Sequence, residues 1–282
     1  MKIFVTGASG QLGYDVCREL TARGIENKGI SSKDADITDR EAVFAALSGY
    51  RPAAVIHCAA YTAVDRAEDE PERCWAANAE GTFHLASACR VLDIPMLYIS
   101  TDYVFPGSGE EYYRTDSPTA PLNVYGRSKL AGELAVRSLL EKYFIVRISW
   151  VFGANGGNFV RTMLRLSETR DAVGVVCDQI GSPTCTADLA PLLCDMILTD
   201  RYGVYHAVNE GVCSWAEFAE EIFRQAGKPT QVNFIPTSEY PTRARRPLNS
   251  RMDTSSLEES GFSRLPKWQD ALRRFLKNEG QG

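Results

Sequence analysis

Two side chains of this sequence, those of Tyr125 and Lys129, are of types that move protons, and they stand four positions apart. In an α-helix, side chains at positions i and i+4 lie on the same face. A free tyrosine has a pKa of about 10, and a neighbouring ammonium group favours the tyrosinate. We therefore expect Lys129 to lower the pKa of Tyr125, so that the phenol acts as a general acid or base. By itself, the spacing is more typical of a packed ring and a solvated lysine.

A glycine-rich segment near the start of the chain provides the chemical context for this pair. Three glycines follow a short apolar segment in a G-x-x-G-x-x-G spacing, which differs from the usual G-x-G-x-x-G of dinucleotide-binding loops. Glycines at such a turn let the backbone approach a pyrophosphate, and the following helix directs N–H groups at it. The expected cofactor contacts in this glycine loop are Gly7, Gly10, Gln11, Leu12 and Gly13. Together with the Tyr/Lys pair, the loop indicates a carbonyl or alcohol oxidoreductase.

The residues after the second predicted strand should select the cofactor. Proteins that prefer NAD normally place an acidic residue there, which holds the ribose 2′-hydroxyl. Here Ser31, Ser32 and Lys33 offer two hydroxyls and a cation, which suit a 2′-phosphate better. We therefore expect NADPH as the cofactor, with NADH as the alternative. Asp36 and Ile37 follow, and we expect them to face the adenine.

Polar residues also follow the fourth predicted strand, in the order Ser100, Thr101, Asp102. Ligands of open α/β sheets bind at the carboxyl ends of the strands. We expect Thr101 to hydrogen-bond a substrate carbonyl while Tyr125 donates a proton to it. General acid catalysis of this kind accelerates a reaction by about 10²–10⁴-fold.

Strand-length apolar segments alternate with helical patterns through the first half of the chain. The predicted strands span 2–6, 27–30, 54–58, 96–100 and 144–148, and the predicted helices span 11–23, 39–47, 71–92 and 122–142. This β-α-β-α alternation predicts an α/β fold, a Rossmann-type doubly wound parallel sheet with helices on both faces.

After residue 150 the alternation becomes irregular. Helices are predicted at about 159–167, 186–198, 214–225 and 268–276, and strands at 204–207 and 232–235. We expect residues 1–150, with about 185–205, to form an NAD(P)-binding domain. Residues of about 151–184 and 206–282 should form a smaller C-terminal substrate-binding lobe whose segments interleave with that domain.

Composition narrows the class of protein. The 282 residues are 44% hydrophobic and 24% charged, which is ordinary for a soluble globular protein. A net charge of −5 without basic runs argues against a nucleic-acid or anionic-membrane partner. No apolar stretch reaches the roughly 20 residues that span a bilayer, and we expect no signal peptide. Eight cysteines without a C-x-x-C pair predict reduced thiols of a cytoplasmic protein. Three histidines at no ligand spacing predict no metal site, and a monomer or a homodimer is left open.

Five segments in order carry a resemblance to a known family. They read Cys58-Ala-Ala-Tyr-Thr-Ala-Val-Asp-Arg-Ala-Glu68, Ser100-Thr-Asp-Tyr-Val-Phe-Pro-Gly107, Arg147-Ile-Ser-Trp-Val-Phe-Gly153, Asp178-Gln-Ile-Gly-Ser-Pro-Thr184 and Arg246-Pro-Leu-Asn-Ser250. Over nearly its whole length the chain resembles the extended short-chain dehydrogenase/reductase superfamily, and within it the dTDP-4-dehydrorhamnose reductase family. The resemblance implies reduction of the C4 ketone of dTDP-4-dehydro-β-L-rhamnose to dTDP-L-rhamnose.

The same resemblance implies roles for individual residues. It makes Tyr125 the proton donor, Lys129 the residue that binds the nicotinamide ribose, and Thr101 the residue that orients the ketone. Further implied contacts are Ala59, Ala60, Tyr61 and Ser100 with the cofactor, and Asp102 and Trp150 with the sugar.

The C-terminal lobe should hold the diphosphate of a nucleotide-sugar substrate. Arg243 and Arg246 stand in one Pro- and Arg-rich loop, and guanidinium groups match phosphate oxygens bidentately. Asn158 and Gln179 are weaker candidates for polar contacts with the substrate.

Two other functions stay open at this stage. The first is another sugar-nucleotide enzyme, a 4,6-dehydratase or an epimerase. The related dehydratases carry Thr-Asp-Glu after the fourth strand, whereas this chain has Tyr103 in place of the glutamate. Epimerases use the same Tyr/Lys pair. The second is a non-catalytic NADP-binding protein similar to the regulatory subunit of methionine adenosyltransferase.

Overall fold

A six-stranded parallel sheet forms the centre of the computed structural model, which describes residues 1–280. Strands and helices are numbered β1–β14 and α1–α11 in chain order. The strands of this sheet are β1 (Lys2–Thr6), β2 (Glu26–Ile30), β3 (Ala54–His57), β4 (Met96–Thr101), β5 (Tyr143–Ile148) and β10 (Gly203–His206). They lie in the order β10-β5-β4-β3-β1-β2. The chain leaves β1 toward β2 and then returns to β3 on the other side. This reversal creates the crevice at the carboxyl ends of β1 and β3 where ligands of such sheets bind.

Helices cover both faces of this sheet, and a separate apolar core lies on each. The helices are α1 (Gln11–Ala22), α2 (Arg40–Tyr50), α3 (Val64–Asp69), α4 (Pro71–Trp75), α5 (Gly81–Leu92), α6 (Val124–Leu139) and α8 (Thr186–Ile197). Side chains of α1 and α8 share one core with β1 and β4, and side chains of α2, α5 and α6 share the other. The predicted doubly wound α/β fold is confirmed.

The predicted helix at 71–92 is interrupted by a π-helical turn, Ala76–Glu80. Asn78 in this turn accepts a hydrogen bond from the Tyr61 N–H (2.8 Å) and donates to the Tyr61 carbonyl (3.0 Å). Such turns are common near functional sites, and this one fixes the backbone of a residue that the sequence places at the cofactor.

The second half of the chain adds short strand pairs and a third core. The pairs join β6 (Val151–Phe152) to β9 (Thr184–Cys185), β7 (Ala172–Val176) to β13 (Gln231–Ile235), β8 (Ile180–Gly181) to β12 (Cys213–Ser214) and β11 (Asn209–Glu210) to β14 (Leu265–Lys267). The helices are α7 (Phe159–Ser167), α9 (Trp215–Gln225), α10 (Ser255–Glu259) and α11 (Trp268–Asn278). Side chains of α7, α9 and α11 pack against β7 in this third core.

Two features of this half bear on the sequence predictions. The predicted capping box is present, because Ser214 accepts from the Glu217 N–H and Glu217 accepts from the Ser214 N–H. Strand β7 was missed, since its five residues include a glycine and the strand is formed only by pairing with β13, more than fifty residues away. None of the helices within residues 1–280 has the length and apolar character needed to span a bilayer.

Candidate active site

A cavity of about 560 Å³ opens at the carboxyl ends of the sheet strands. Its wall includes the glycine loop after β1, residues after β3, β4 and β5, and the side chains of Tyr125 and Lys129 on α6. The sheet thus brings the two predicted chemical groups into one cavity, although they are more than a hundred residues apart in the chain.

The glycine loop is built for close contact with an anionic ligand. A Cβ atom at Gly13 would overlap the Gly7 carbonyl oxygen, so only glycine permits this turn. Gly10 is the N-cap of α1 and contributes no side-chain hydrogen bond to the helix end. The first N–H groups of this 12-residue helix therefore stay available for phosphate oxygens.

A smaller cavity of about 200 Å³ extends from Gly7 along the end of β2. It is lined by the predicted cofactor contacts Ser31, Ser32, Asp36, Ile37, Ala59, Ala60 and Tyr61. Lys33 lies next to them and is exposed.

Asp34, an acidic residue just after β2, was not predicted as part of this site. Asp34 accepts hydrogen bonds from the Ser31 N–H (2.8 Å) and hydroxyl (2.7 Å), and these bonds lower the pKa of its carboxyl group. The end of β2 therefore presents a carboxylate as well as the cation of Lys33.

Tyr125 lies in the first turn of α6, pressed against the turn that follows β4. A Cβ atom at Gly126 would overlap the Tyr103 carbonyl oxygen, so the helix can approach this closely only with glycine there. The Asn123 side chain caps the helix by accepting from the Gly126 N–H (2.8 Å). The ring of Tyr103 meets the Tyr125 ring edge-on, with centroids 5.5 Å apart.

The expected lowering of the Tyr125 pKa was wrong in direction. Burial raises the pKa of Tyr125, and the neighbouring Thr101 hydroxyl offsets only part of this effect. Lys129 directs its Nζ to the Ile99 carbonyl oxygen (2.7 Å) and lies 4.0 Å from the centre of the Tyr98 ring. Burial lowers the pKa of Lys129 to about 7, against the attraction of Glu133. Desolvation disfavours the charged form of both groups, and it is the largest cause of both pKa shifts.

Thr101 and Asp102 form a buried hydrogen-bonded unit at the end of β4. The Thr101 hydroxyl donates to Asp102 Oδ1 (2.9 Å), and the Ser250 hydroxyl donates to Asp102 Oδ2 (2.5 Å). Burial raises the pKa of Asp102 to about 6, although both hydroxyls act to lower it. Ser250 ends the Arg246–Ser250 segment, and its contact with Asp102 was not predicted from the sequence.

A buried ion pair lies behind the cavity and was also missed. Glu133 and Arg147 are 1% and 3% exposed, and their side chains meet at 2.7–2.8 Å. Glu133 also accepts from the Ser100 hydroxyl (2.5 Å). Glu133 is four residues beyond Lys129, so the spacing that indicated the Tyr/Lys pair could have pointed to this third member of the same helix face.

Trp150 lines the cavity together with a second tryptophan that sequence analysis did not single out. The rings of Trp150 and Trp215 are stacked, with centroids 3.8 Å apart and planes 15° apart. Trp150 has a left-handed backbone conformation (φ 49°), which is uncommon for a bulky residue. Such strain is found where a side chain is held for function, and here it directs the ring into the stack.

The other predicted substrate residues make contacts within the protein. Arg246 pairs bidentately with Asp65 (2.6 and 3.0 Å), and Arg243 pairs with Asp69 (2.8 Å), so α3 of the sheet domain holds both guanidinium groups. Gln179 donates to the Thr237 hydroxyl (3.1 Å).

Asn158 lies beside the glycine loop, not among the other predicted substrate residues. It caps α7 by accepting from the Arg161 N–H, and it donates to Gln11 (3.2 Å) and to the Gly153 carbonyl. Asn155, which was not predicted, donates to the Ser9 and Gly10 carbonyl oxygens (2.8 and 3.2 Å). This segment therefore braces the glycine loop. Within residues 1–280, no group of three or more His, Cys, Asp or Glu side chains is placed to hold a metal ion.

The comparisons with known proteins agree with this geometry. The family model described as the RmlD substrate binding domain matches residues 1–280. The dTDP-4-dehydrorhamnose reductase of Streptomyces griseus is 45% identical over 275 residues, which cover 95% of this chain and 90% of that protein. A crystal structure of the dTDP-4-dehydrorhamnose reductase of Clostridium acetobutylicum has a TM-score of 0.97 at 38% identity, covering 99% of this chain and 100% of that one. The Bacillus anthracis dTDP-4-dehydrorhamnose reductase, crystallised in complex with NADP, has a TM-score of 0.96 at 42% identity, covering 98% and 99%. The chain therefore belongs to the RmlD family of dTDP-4-dehydrorhamnose reductases.

Proposed function

We propose that this protein uses NADPH to reduce the C4 ketone of dTDP-4-dehydro-β-L-rhamnose, giving dTDP-L-rhamnose. The observation that carries the proposal is the single cavity lined by the glycine loop, Thr101, Tyr125 and Lys129. A phosphate-binding helix end and a proton donor at one cavity are what a nicotinamide-dependent carbonyl reduction requires.

The residues present fit a dinucleotide. The N-terminus of α1 would hold the pyrophosphate, and Lys129 would hydrogen-bond the nicotinamide ribose. Ser31 and Lys33 would take the 2′-phosphate, with Asp34 beside them. When bound, the dihydronicotinamide supplies the hydride for the reduction.

Tyr125 acts as the proton donor to the ketone oxygen. Because burial raises its pKa, the phenol keeps its proton at neutral pH and is present as the acid. Negative charge develops on the ketone oxygen during reduction, and a hydrogen bond directed at that oxygen stabilises the transition state.

The second half of the molecule is proposed to bind the rest of the substrate. Within the described chain, we assign residues of about 151–184 and 206–280 to this lobe, and residues 1–150 with about 185–205 to the cofactor domain. A cavity of about 940 Å³ on the lobe side is lined by Asp178, Tyr240, Arg243 and Arg246, among others. We place the nucleotide diphosphate here, where it would compete with Asp65 and Asp69 for the two guanidinium groups. The Trp150–Trp215 stack would contact the sugar.

The site chemistry disfavours the dehydratase function. Tyr103 occupies the position of the glutamate that dehydratases use, and burial raises the pKa of its phenol, which cannot replace a carboxylate.

The cysteines bear on the compartment in which the protein works. All eight are free thiols, which favours a reducing compartment, and we infer the cytoplasm.

Cofactor oxidation with and without dTDP-4-dehydrorhamnose tests the proposal. A reductase consumes one NADPH per product formed, whereas an epimerase produces no net cofactor oxidation. A regulatory subunit would bind NADPH without turnover. Absence of substrate-dependent NADPH oxidation in a protein that binds NADPH would refute the proposed activity.

A further inference from the structure

The Thr101 hydroxyl has a single proton, and in this structure its hydrogen-bond acceptor is Asp102. Thr101 Oγ1 donates to Asp102 Oδ1 (2.9 Å) and accepts from the Tyr103 N–H (3.2 Å). A hydroxyl group can donate only one hydrogen bond. In this arrangement Thr101 therefore has no proton to offer to a substrate ketone.

Ser250 determines which oxygen of the Asp102 carboxyl group can take up a proton. Its hydroxyl donates to Oδ2 (2.5 Å), so a proton taken up by the carboxyl group would settle on Oδ1. Ser250 is held firmly for this task, since it is buried and its N–H donates to the Ile180 carbonyl oxygen (2.7 Å). Asp102 is itself only 2% exposed, so these two hydroxyls are held against a carboxyl group that is largely shielded from solvent.

We propose that Ser250 and Asp102 set the direction of the Thr101 hydroxyl and thereby switch it between withholding its proton from the ketone and donating it. With the carboxylate ionised, Thr101 donates to Oδ1. With the carboxyl protonated on Oδ1, that proton is donated to Thr101 Oγ1, and the Thr101 proton turns to the ketone oxygen as a second donor beside Tyr125. No proton is gained or lost except by Asp102. Asp102 and Ser250 are positioning residues, and the inference rests on the proposed reduction.

The charges around Asp102 allow this switch near neutral pH. Burial places its pKa at about 6. The phenols of Tyr103 and Tyr125 face it, and both stay protonated because burial raises their pKa values. Beyond Tyr103, Arg246 and Asp65 neutralise each other. On α6, burial lowers the pKa of Lys129 to about 7, so Lys129 also titrates near neutral pH. Glu133, on the same helix, is paired with Arg147.

The switch predicts the sign of a pH effect. Protonated Asp102 gives the more active form, so kcat for ketone reduction should rise as pH falls through about 6. The Ser250 hydroxyl stabilises the ionised carboxylate, so Ser250→Ala should raise the Asp102 pKa by about one unit and move this limb to higher pH. Titration of Lys129 produces a limb that Ser250→Ala leaves in place.

The decisive measurement is the pH profile of kcat for the wild type, Ser250→Ala and Ser182→Ala. Ser182 is a matched control, since it is a buried serine whose hydroxyl donates to the Gly211 carbonyl oxygen (2.7 Å), away from Asp102. We expect the limb to move upward only in Ser250→Ala. In a Thr101→Val background the limb assigned to Asp102 should be absent, both with and without Ser250→Ala. An unmoved limb, or a shift toward lower pH, in a folded Ser250→Ala protein that binds NADPH would overturn the proposal.

A second readout separates this proposal from the proposed function. The carboxyl stretch of Asp102, identified by its loss in Asp102→Asn, can be titrated by infrared spectroscopy without any turnover. Its midpoint should lie higher in Ser250→Ala than in the wild type and in Ser182→Ala. If the wild type reduces no ketone, the proposed function fails while this titration still reports on the hydrogen-bonded unit. If the Asp102 titration midpoint is the same in Ser250→Ala as in the wild type, the proposed switch is refuted, whether or not the protein reduces the ketone.

Discussion

Replacing Glu133 by glutamine should strongly destabilise the protein, because Glu133 belongs to a buried ion pair. Glu133→Gln keeps an acceptor for Ser100 but leaves the guanidinium of Arg147, 3% exposed, without a counter-charge. Breaking a buried ion pair by removing one partner costs about 3–5 kcal/mol. For a chain of this size that corresponds to a fall in Tm of roughly 10 °C.

The assay is thermal and urea unfolding followed by circular dichroism, with two control proteins. Glu221→Gln breaks the surface pair with Arg224, which is 71% exposed, and should change stability by less than about 1 kcal/mol. A Glu133→Leu and Arg147→Met double variant removes both charges and should recover much of the loss. If Glu133→Gln unfolds within about 1 kcal/mol of the wild type, Arg147 is compensated in another way and the argument from burial fails.

Three further changes test the site itself. Tyr125→Phe removes the proton donor and should lower kcat by about 10²-fold or more, while the Kd for NADPH measured by fluorescence titration stays near that of the wild type; retained turnover would exclude Tyr125 as the acid. Lys33→Asp puts a second carboxylate beside Asp34 and should shift preference toward NADH; an unchanged ratio of kcat/KM for the two cofactors would show that the 2′-phosphate is recognised elsewhere. Gly13→Ala forces a Cβ onto the Gly7 carbonyl oxygen and should weaken NADPH binding by about tenfold or more; unaltered affinity would contradict the role of the glycine loop.

The features that could be predicted from the sequence are those that depend on residues close together in the chain. Alternating apolar and helical segments up to residue 150 predicted the doubly wound sheet, and the structure confirms it. The five family segments predicted a dTDP-4-dehydrorhamnose reductase with a nicotinamide cofactor, and the comparisons confirm the family. The i, i+4 rule predicted that Tyr125 and Lys129 lie on one helix, and α6 carries both; the hypothesis that they act together also needed the glycine loop and Thr101.

What was missed depends on contacts between distant parts of the chain. Trp215 stacks on Trp150 from 65 residues away, and Ser250 reaches Asp102 across 148 residues. The pKa of Tyr125 was misjudged for a related reason. Sequence spacing shows which charge is near a group, but it does not show how completely the folded chain removes water from both.

Burial sets the protonation states of the proposed catalytic groups before the reaction begins. Desolvation raises the pKa of Tyr125 and of Asp102 and lowers that of Lys129 to about 7, so all three are driven toward their neutral forms. A reduction needs an acid beside the carbonyl oxygen, and a buried phenol that keeps its proton is such an acid. Proton donation leaves the tyrosinate from which the reverse oxidation would start, so the loss of water affects both directions and leaves the equilibrium unchanged. By excluding solvent at the end of β4, the fold supplies a resting site in which the phenol is present as the acid that ketone reduction needs.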